Sequence, residues 1–274
     1  MAIHSFLKAE KGDPDWQYSP EKYFGKEFKL IDANTIELAE DNANLMVLRQ
    51  NPTEKELLAK HIKINVKTKG KLDLIILNEA DSKLQQVFLY DVHVEVGGSI
   101  NFGIFVKDGK LNKHIIQVYL EDGAEFNAYG LMSNNVGGDT EIITKVVHQH
   151  HDTSSNQLIL GLAGKNSQTV YQGMALLNPD SEGSESHIEN SNLIIGENGR
   201  CYSRPDIYTD CNQVRSSQGC ITDYVNSDKI YYLQSKGLSF EQATETILNS
   251  FRSQTIDIIP YNDIKNEVYQ LFES

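Results

Sequence analysis

Cysteine is scarce in this chain of 274 residues: three in all, Cys201, Cys211 and Cys220, with no CxxC pair. An odd count without paired spacing argues against a disulfide framework or a zinc knuckle. Positive charge is in deficit, with 25 Lys and Arg against 38 Asp and Glu and a formal net charge of −13. Such a surface repels phosphates instead of releasing their counterions, which argues against nucleic acid and anionic membrane as partners. No apolar run reaches membrane-spanning length, and the opening MAIHSFLKAEKGDPDW lacks the apolar core of a signal peptide. A reducing cytoplasm is the expected compartment. Also missing are GxSxG, P-loop, dinucleotide-fingerprint and HExxH motifs, so no catalytic centre is marked.

Long helical patterns are absent from the middle of the chain, which excludes a doubly wound α/β fold. What is there is strand and turn. Leu72–Leu77, Val87–Tyr90, Val92–Val96, Ile100–Val106 and Ile115–Leu120 are β-branched and aromatic runs. They are divided by Gly70, Gly97-Gly98, Asp108-Gly109, Asp122-Gly123 and Gly137-Gly138. A sandwich or barrel and a stacked-coil solenoid both fit that pattern. A weak repeat favours the solenoid: Val94-Glu95-Val96-Gly97-Gly98-Ser99-Ile100-Asn101-Phe102 resembles Tyr119-Leu120-Glu121-Asp122-Gly123-Ala124-Glu125-Phe126, roughly 25 residues later. In residues 1–61 the pattern is mixed. Phe28–Ile31 and Thr35–Leu38 read as small strands, and Thr53 with Glu56 has the spacing of a capping box opening a short helix through Leu57 and Leu58. Residues 62–222 read as the β body and 223–274 as a helical region.

In that last region Ile230, Leu233 and Gln234 follow helical spacing, with Ser227 as cap and Gly237 as stop. Ser239 and Gln242 form a second capping box, ahead of a face made by Ala243, Ile247, Leu248 and Phe251. Beyond Pro260, the stripe Ile264, Val268, Leu271 and Phe272 marks a last helix. These helices either cap the open end of a solenoid or dock a partner, since an amphipathic face reports burial and not against what. His148, His150 and His151 with Asp152 form the one dense imidazole cluster, in which His148 and His150 would share a strand face close enough for one metal. Cys220 is a further weak candidate ligand.

Several segments of the C-terminal half resemble one family. Val146-Val147-His148 with Ser155-Asn156-Gln157-Leu158, Val170-Tyr171-Gln172-Gly173, Asn190–Gly196, Pro205-Asp206-Ile207 and Val214–Gly219 follow in its order and spacing. Most specific is Ile230-Tyr231-Tyr232-Leu233-Gln234-Ser235-Lys236-Gly237-Leu238, which resembles the signature phenylalanine–tyrosine–leucine–x–serine–arginine–glycine–isoleucine. The family is SufB/SufD, the core subunits of the SUF iron–sulfur cluster assembly scaffold, with SufD the nearer. The resemblance implies a mainly β fold, a right-handed parallel β-helix with helical N- and C-terminal regions. It also implies a non-enzymatic scaffold that docks a SufC-like ATPase and pairs with a SufB-like paralogue through the β-helix ends. Self-association of the isolated chain stays open. The ATPase-docking residues by resemblance are Tyr231, Tyr232, Leu233, Lys236, Gly237 and Phe251. The family's ligand positions fall on Asn212, Gln213, Ser216 and Gln218, where neutral amides and a hydroxyl replace metal-competent groups. No tightly bound cofactor is therefore expected, with a cluster or flavin entering only in the complex. The alternative is an unrelated β-helix protein such as a polysaccharide-processing enzyme.

Overall fold

A computed structural model describes residues 33–50 and 57–273. Fourteen strands come first. They are β1 (Ala33–Leu38), β2 (Ala43–Gln50), β3 (Leu57–Val66), β4 (Lys71–Ala80), β5 (Gln85–Val94), β6 (Ser99–Asp108) and β7 (Leu111–Leu120). Then follow β8 (Glu125–Asn134), β9 (Asp139–His148), β10 (Ser154–Ala163), β11 (Gln168–Leu177), β12 (Glu185–Ile194), β13 (Arg200–Thr209) and β14 (Arg215–Tyr224). Three helices end the chain, α1 (Ser227–Ser235), α2 (Phe240–Ile256) and α3 (Asn262–Glu273).

Odd-numbered strands form one seven-stranded sheet and even-numbered strands a second. Among the described residues the ladders of both are parallel, as β5 on β7 and β6 on β8 show. The chain is thus a parallel β-solenoid, and a sandwich is excluded, because a sandwich pairs antiparallel neighbours. Each coil returns to the same register after a short interval: Asn101 and Asn127, on neighbouring coils, are 26 residues apart. The weak repeat is this period. Gly97 and Gly123 occupy equivalent corners with φ of 63° and 65°. A Cβ on Gly123 would lie 4.0 Å from the Gly97 Cα, so the corners stack in the left-handed region that glycine enters without strain.

Alternation sorts the side chains. Leu74, Phe102, Phe126, Tyr90 and Ile116 point between the sheets and form the lumen core. Tyr90 meets Phe102 edge-on at 5.5 Å, and Phe102 lies 6.2 Å from Phe126. Toward β9–β12 the lumen turns polar, with Thr144 between Gln157 and Tyr171.

Several expectations change. Leu57 and Leu58 belong to β3, in register with Gln85 and Gln86, and not to a helix; Thr53, Glu56 and the residues before Ala33 lie outside the described residues. β1 and β2 already pair into the stack, so the body begins earlier than residue 62. Asn226, not Ser227, caps α1: its side chain accepts from the N–H groups of Asp228 and Lys229. The Ser239–Gln242 capping box on α2 is present.

The helices do not close the end of the solenoid. α2 and α3 lie along the outward face of the second sheet. Leu248, Ile256, Ile259, Ile264, Val268 and Phe272 pack there on Ile75, Leu77, Phe105, Leu131, Leu160 and Leu193. Two polar clasps fix this arrangement. Arg49 donates twice to Glu267 at 2.6 Å, and the Tyr261 hydroxyl donates to Asp73 at 2.6 Å. Among the described residues no strand or helix covers the last coil, and the side chains of β14 are exposed along its whole length.

Candidate functional site

The open coil carries the four positions that the sequence resemblance sets against the family's ligands. Asn212 and Gln213 sit in the turn before β14, and the Gln213 carbonyl accepts from Gly183 N–H at 2.8 Å. Ser216 pairs with Ser186, Gln218 with Ile188 and Cys220 with Asn190. Paired residues of a parallel ladder share a face, and Ile188 is in the lumen core. Ser216, Gln218 and Cys220 therefore look along the lumen side of a coil that nothing follows. The Ser216 hydroxyl and the Gln218 amide offer hydrogen bonds there but poor iron ligation, while the exposed Cys220 thiol is a sulfur donor on the same row.

The histidine cluster does not assemble. β9 ends at His148 and the chain turns, so His148 and His150 do not share a strand face. His148 is buried with both ring nitrogens engaged, Nδ1 with Thr153 at 2.8 Å and Nε2 with Ser155 at 2.9 Å. Burial holds its pKa down at about 4, so it is a neutral core histidine. His150 faces Glu121 at 3.1 Å on the surface. The three cysteines are free thiols. Cys201 accepts from the Thr169 hydroxyl at 3.2 Å, and burial pushes its thiol pKa up, the opposite of an activated nucleophile. Among the described residues no three of His, Cys, Asp and Glu converge to hold a metal ion.

A groove of about 670 Å³ opens beside this coil, between the outward side of β12 and β14 and helices α1 and α2. Tyr232, Leu233, Ile247, Phe251, Leu193 and Ile221 supply its apolar wall, with Asp223, Asp228 and Lys229 at its polar part. Tyr232 is 60% exposed, and the Lys236 Nζ lies 5.4 Å over its ring. Tyr231, 75% exposed, stands outside the groove. Gly237 ends α1 with φ of 98°, a left-handed closure that suits glycine. Of the expected docking residues, then, Tyr232, Leu233 and Phe251 meet in one groove. Sequence reasoning missed Leu193 and Ile221. Their signal was positional: both alternate with lumen-facing residues on the last strands of the second sheet.

Fold and site together define a parallel β-solenoid with a helical flank, an open terminal coil and an apolar groove beside it. The family model described as "SUF system FeS cluster assembly, SufBD core domain" matches residues 25–251, most of the chain. The chain belongs to the SufBD core family of the SUF system for iron–sulfur cluster assembly. It is similar to an "Iron-sulfur cluster assembly SufBD family protein" of Synechocystis sp., 24% identical over 59% of this chain and 36% of that one. A protein of the same description from Mycobacterium leprae is 25% identical over 55% of this chain and 41% of its own. "Protein ABCI7, chloroplastic" of Arabidopsis thaliana is 22% identical over 70% of this chain and 38% of that one. The match thus spans well under half the length of these curated relatives. Family membership removes the polysaccharide-processing alternative. Among the described residues no helix is long and apolar enough to cross a membrane.

Proposed function

We propose that this chain is a non-enzymatic scaffold subunit of a SUF-type assembly complex, closer to SufD than to SufB, and that it works in the cytoplasm. In this reading a SufC-like ATPase seats in the groove around Tyr232, Leu233 and Phe251. A SufB-like paralogue, or a second copy when the chain is isolated, joins the open coil at β14.

The observation that carries the reading is the bare last coil. An unpaired strand edge is a template for another chain, and proteins ordinarily blunt or cover it. Here α2 and α3 cover the side of the solenoid and leave the end open. A second strand added to β14 would pair with its open backbone edge. The cluster under construction is cargo of the complex, and Asn212, Gln213, Ser216 and Gln218 give this subunit no part in its direct ligation. Any cluster or flavin would belong to the assembled complex.

The test is co-purification of the full chain with its host's SufC-like and SufB-like subunits. Association with both is expected, and it should be lost from the paralogue when Gly219, which has open space around it, is replaced by Lys. A chain that remains monomeric and captures neither subunit would overturn the proposal.

A further inference from the structure

The outward face of the first sheet carries a second polar cluster, far in sequence from the open coil. Register sets Asp91 beside Gln117 and His93 beside Tyr119. Asp91 and His93, two apart on β5, project from the same face. Asp91 is 5% exposed and Gln117 2%. Asp91 Oδ1 and Gln117 Oε1 are both buried acceptors without a hydrogen-bond donor. His93 Nε2 lies 3.5 Å from that same Asp91 oxygen. His61 Nε2, on the adjoining strand β3, is likewise buried and unpaired.

A buried carboxylate oxygen with no donor is costly, by about 1–3 kcal/mol or more. A cation relieves several such acceptors at once. The separation of the Asp91 oxygen and His93 nitrogen has the right size. Two ligands of a tetrahedral ion, with bonds of about 2.0–2.1 Å, stand roughly 3.4 Å apart. Tyr119 fixes both neighbours. Its ring stacks on His93 at 4.8 Å, and its hydroxyl accepts from Gln117 Nε2, which leaves the amide oxygen free. Outer contacts of this kind orient ligands for a metal. Because among the described residues no three of His, Cys, Asp and Glu converge, the amide oxygen serves as the third ligand. We propose that Asp91, His93 and Gln117 bind one divalent transition-metal ion of the zinc class, with water as the fourth ligand. Mixed nitrogen and oxygen donors favour zinc, cobalt or nickel over calcium or magnesium. Lys63 and Lys145 stand in the same cross-strand row as Asp91 and Gln117, and their charge keeps the affinity below that of an all-anionic site. The site is separate from the family's ligand positions and departs from the expectation that the chain holds no metal of its own.

The experiment uses the full chain, stripped with a chelator and free of any histidine tag. It is titrated with zinc chloride and, for the visible bands of a tetrahedral site, with cobalt chloride. One zinc per chain is expected, with Asp91→Asn and His93→Ala each weakening it roughly tenfold or more. His93 is half exposed, so His93→Ala should fold and decides the matter even if Asp91→Asn does not. The same cluster can instead close on itself, with the Gln117 amide turned so that its NH₂ donates to Asp91 and its oxygen accepts from Tyr119. That network takes up no metal. Failure to bind stoichiometric zinc, or zinc binding unchanged in His93→Ala, overturns the proposal.

Discussion

Replacing Tyr232 by alanine separates docking from folding. The ring is 60% exposed and forms a wall of the groove with Leu233, Ile247 and Phe251. Because so much of it already meets water, truncation removes little apolar burial. The folded chain should lose less than about 0.5 kcal/mol, the usual range for a surface substitution. An aromatic anchor at the centre of an interface costs more, on the order of 2 kcal/mol. At about 1.4 kcal/mol per decade, that is roughly 30-fold in Kd. Tyr231 is the internal control, because it is more exposed and stands outside the groove. Tyr231→Ala should change affinity by no more than about threefold, as contacts around an anchor do. Lys236→Glu reverses a charge beside the Tyr232 ring at the rim of the groove and should weaken docking modestly, about two- to fivefold, with a changed salt dependence. Phe251→Ala is a poorer probe, since Phe251 also packs against the helix–sheet core. The assay is calorimetric titration of each variant with the ATPase subunit, after a urea titration shows that the variant folds. Unchanged affinity for Tyr232→Ala refutes the reasoning. Equal losses for Tyr231 and Tyr232 would refute it too, because the groove would then not be what discriminates them.

Three further outcomes follow from the packing. Phe102 is fully buried between Tyr90 and Phe126, so Phe102→Ala should destabilise by about 3–5 kcal/mol, read from the urea midpoint at unchanged slope. His148 is held neutral in the fold, with a pKa near 4 against an ordinary value of 6.5. Its contribution is present above pH 6.5 and is lost as the pH falls from there toward 4, because only the unfolded chain takes the proton in that window. Stability at pH 5 should be lower than at pH 7 by about 2 kcal/mol for this group, a slope that His148→Gln should flatten. Val268 is fully buried in the contact between α3 and the second sheet. Val268→Asp places a carboxylate there without a designed partner, and several kcal/mol of local destabilisation should follow. Hydrogen exchange should show α3 amides released while amides of β6 and β8 keep their protection.

Much of the fold was legible because a solenoid repeats its physics. Period-two alternation marks the strands, glycine corners mark the turns, and a weak repeat of roughly 25 residues points to stacked coils, whose Gly97 and Gly123 corners the fold then brings together. Leu57 and Leu58 were not legible. Thr53 and Glu56 have the spacing of a helix start, yet the chain from Leu57 pairs with β5, and a ladder of parallel neighbours outweighs a local signal. The flanking position of the helices was missed for a different reason. An amphipathic stripe does not say what it faces, but the strands did carry the answer: in Leu74-Ile75-Ile76-Leu77 both faces are apolar, as strands buried on two sides must be. The His148 cluster misled because spacing counts residues along an ideal strand, whereas β9 stops at His148.

In the proposed scaffold, the open end and the groove have a reason to persist apart from ligation. Solenoid ends need cover, since a terminal coil exposes the face that every inner coil buries. In this chain the covering helices are spent on the side of the second sheet, where they fill the outward face from β4 to β12. The last coil therefore presents a polar strand edge, with Ser216 and Gln218 along it. Hydroxyls, amides and an open backbone edge are what strand addition uses. They are not what iron binding uses, for which thiolate, imidazole or carboxylate would be wanted. Loss of the ligands thus leaves the requirements for pairing intact. In the proposed assembly, chemistry and architecture fall to different subunits: the paralogue carries the ligands, and this chain holds the edge and the groove.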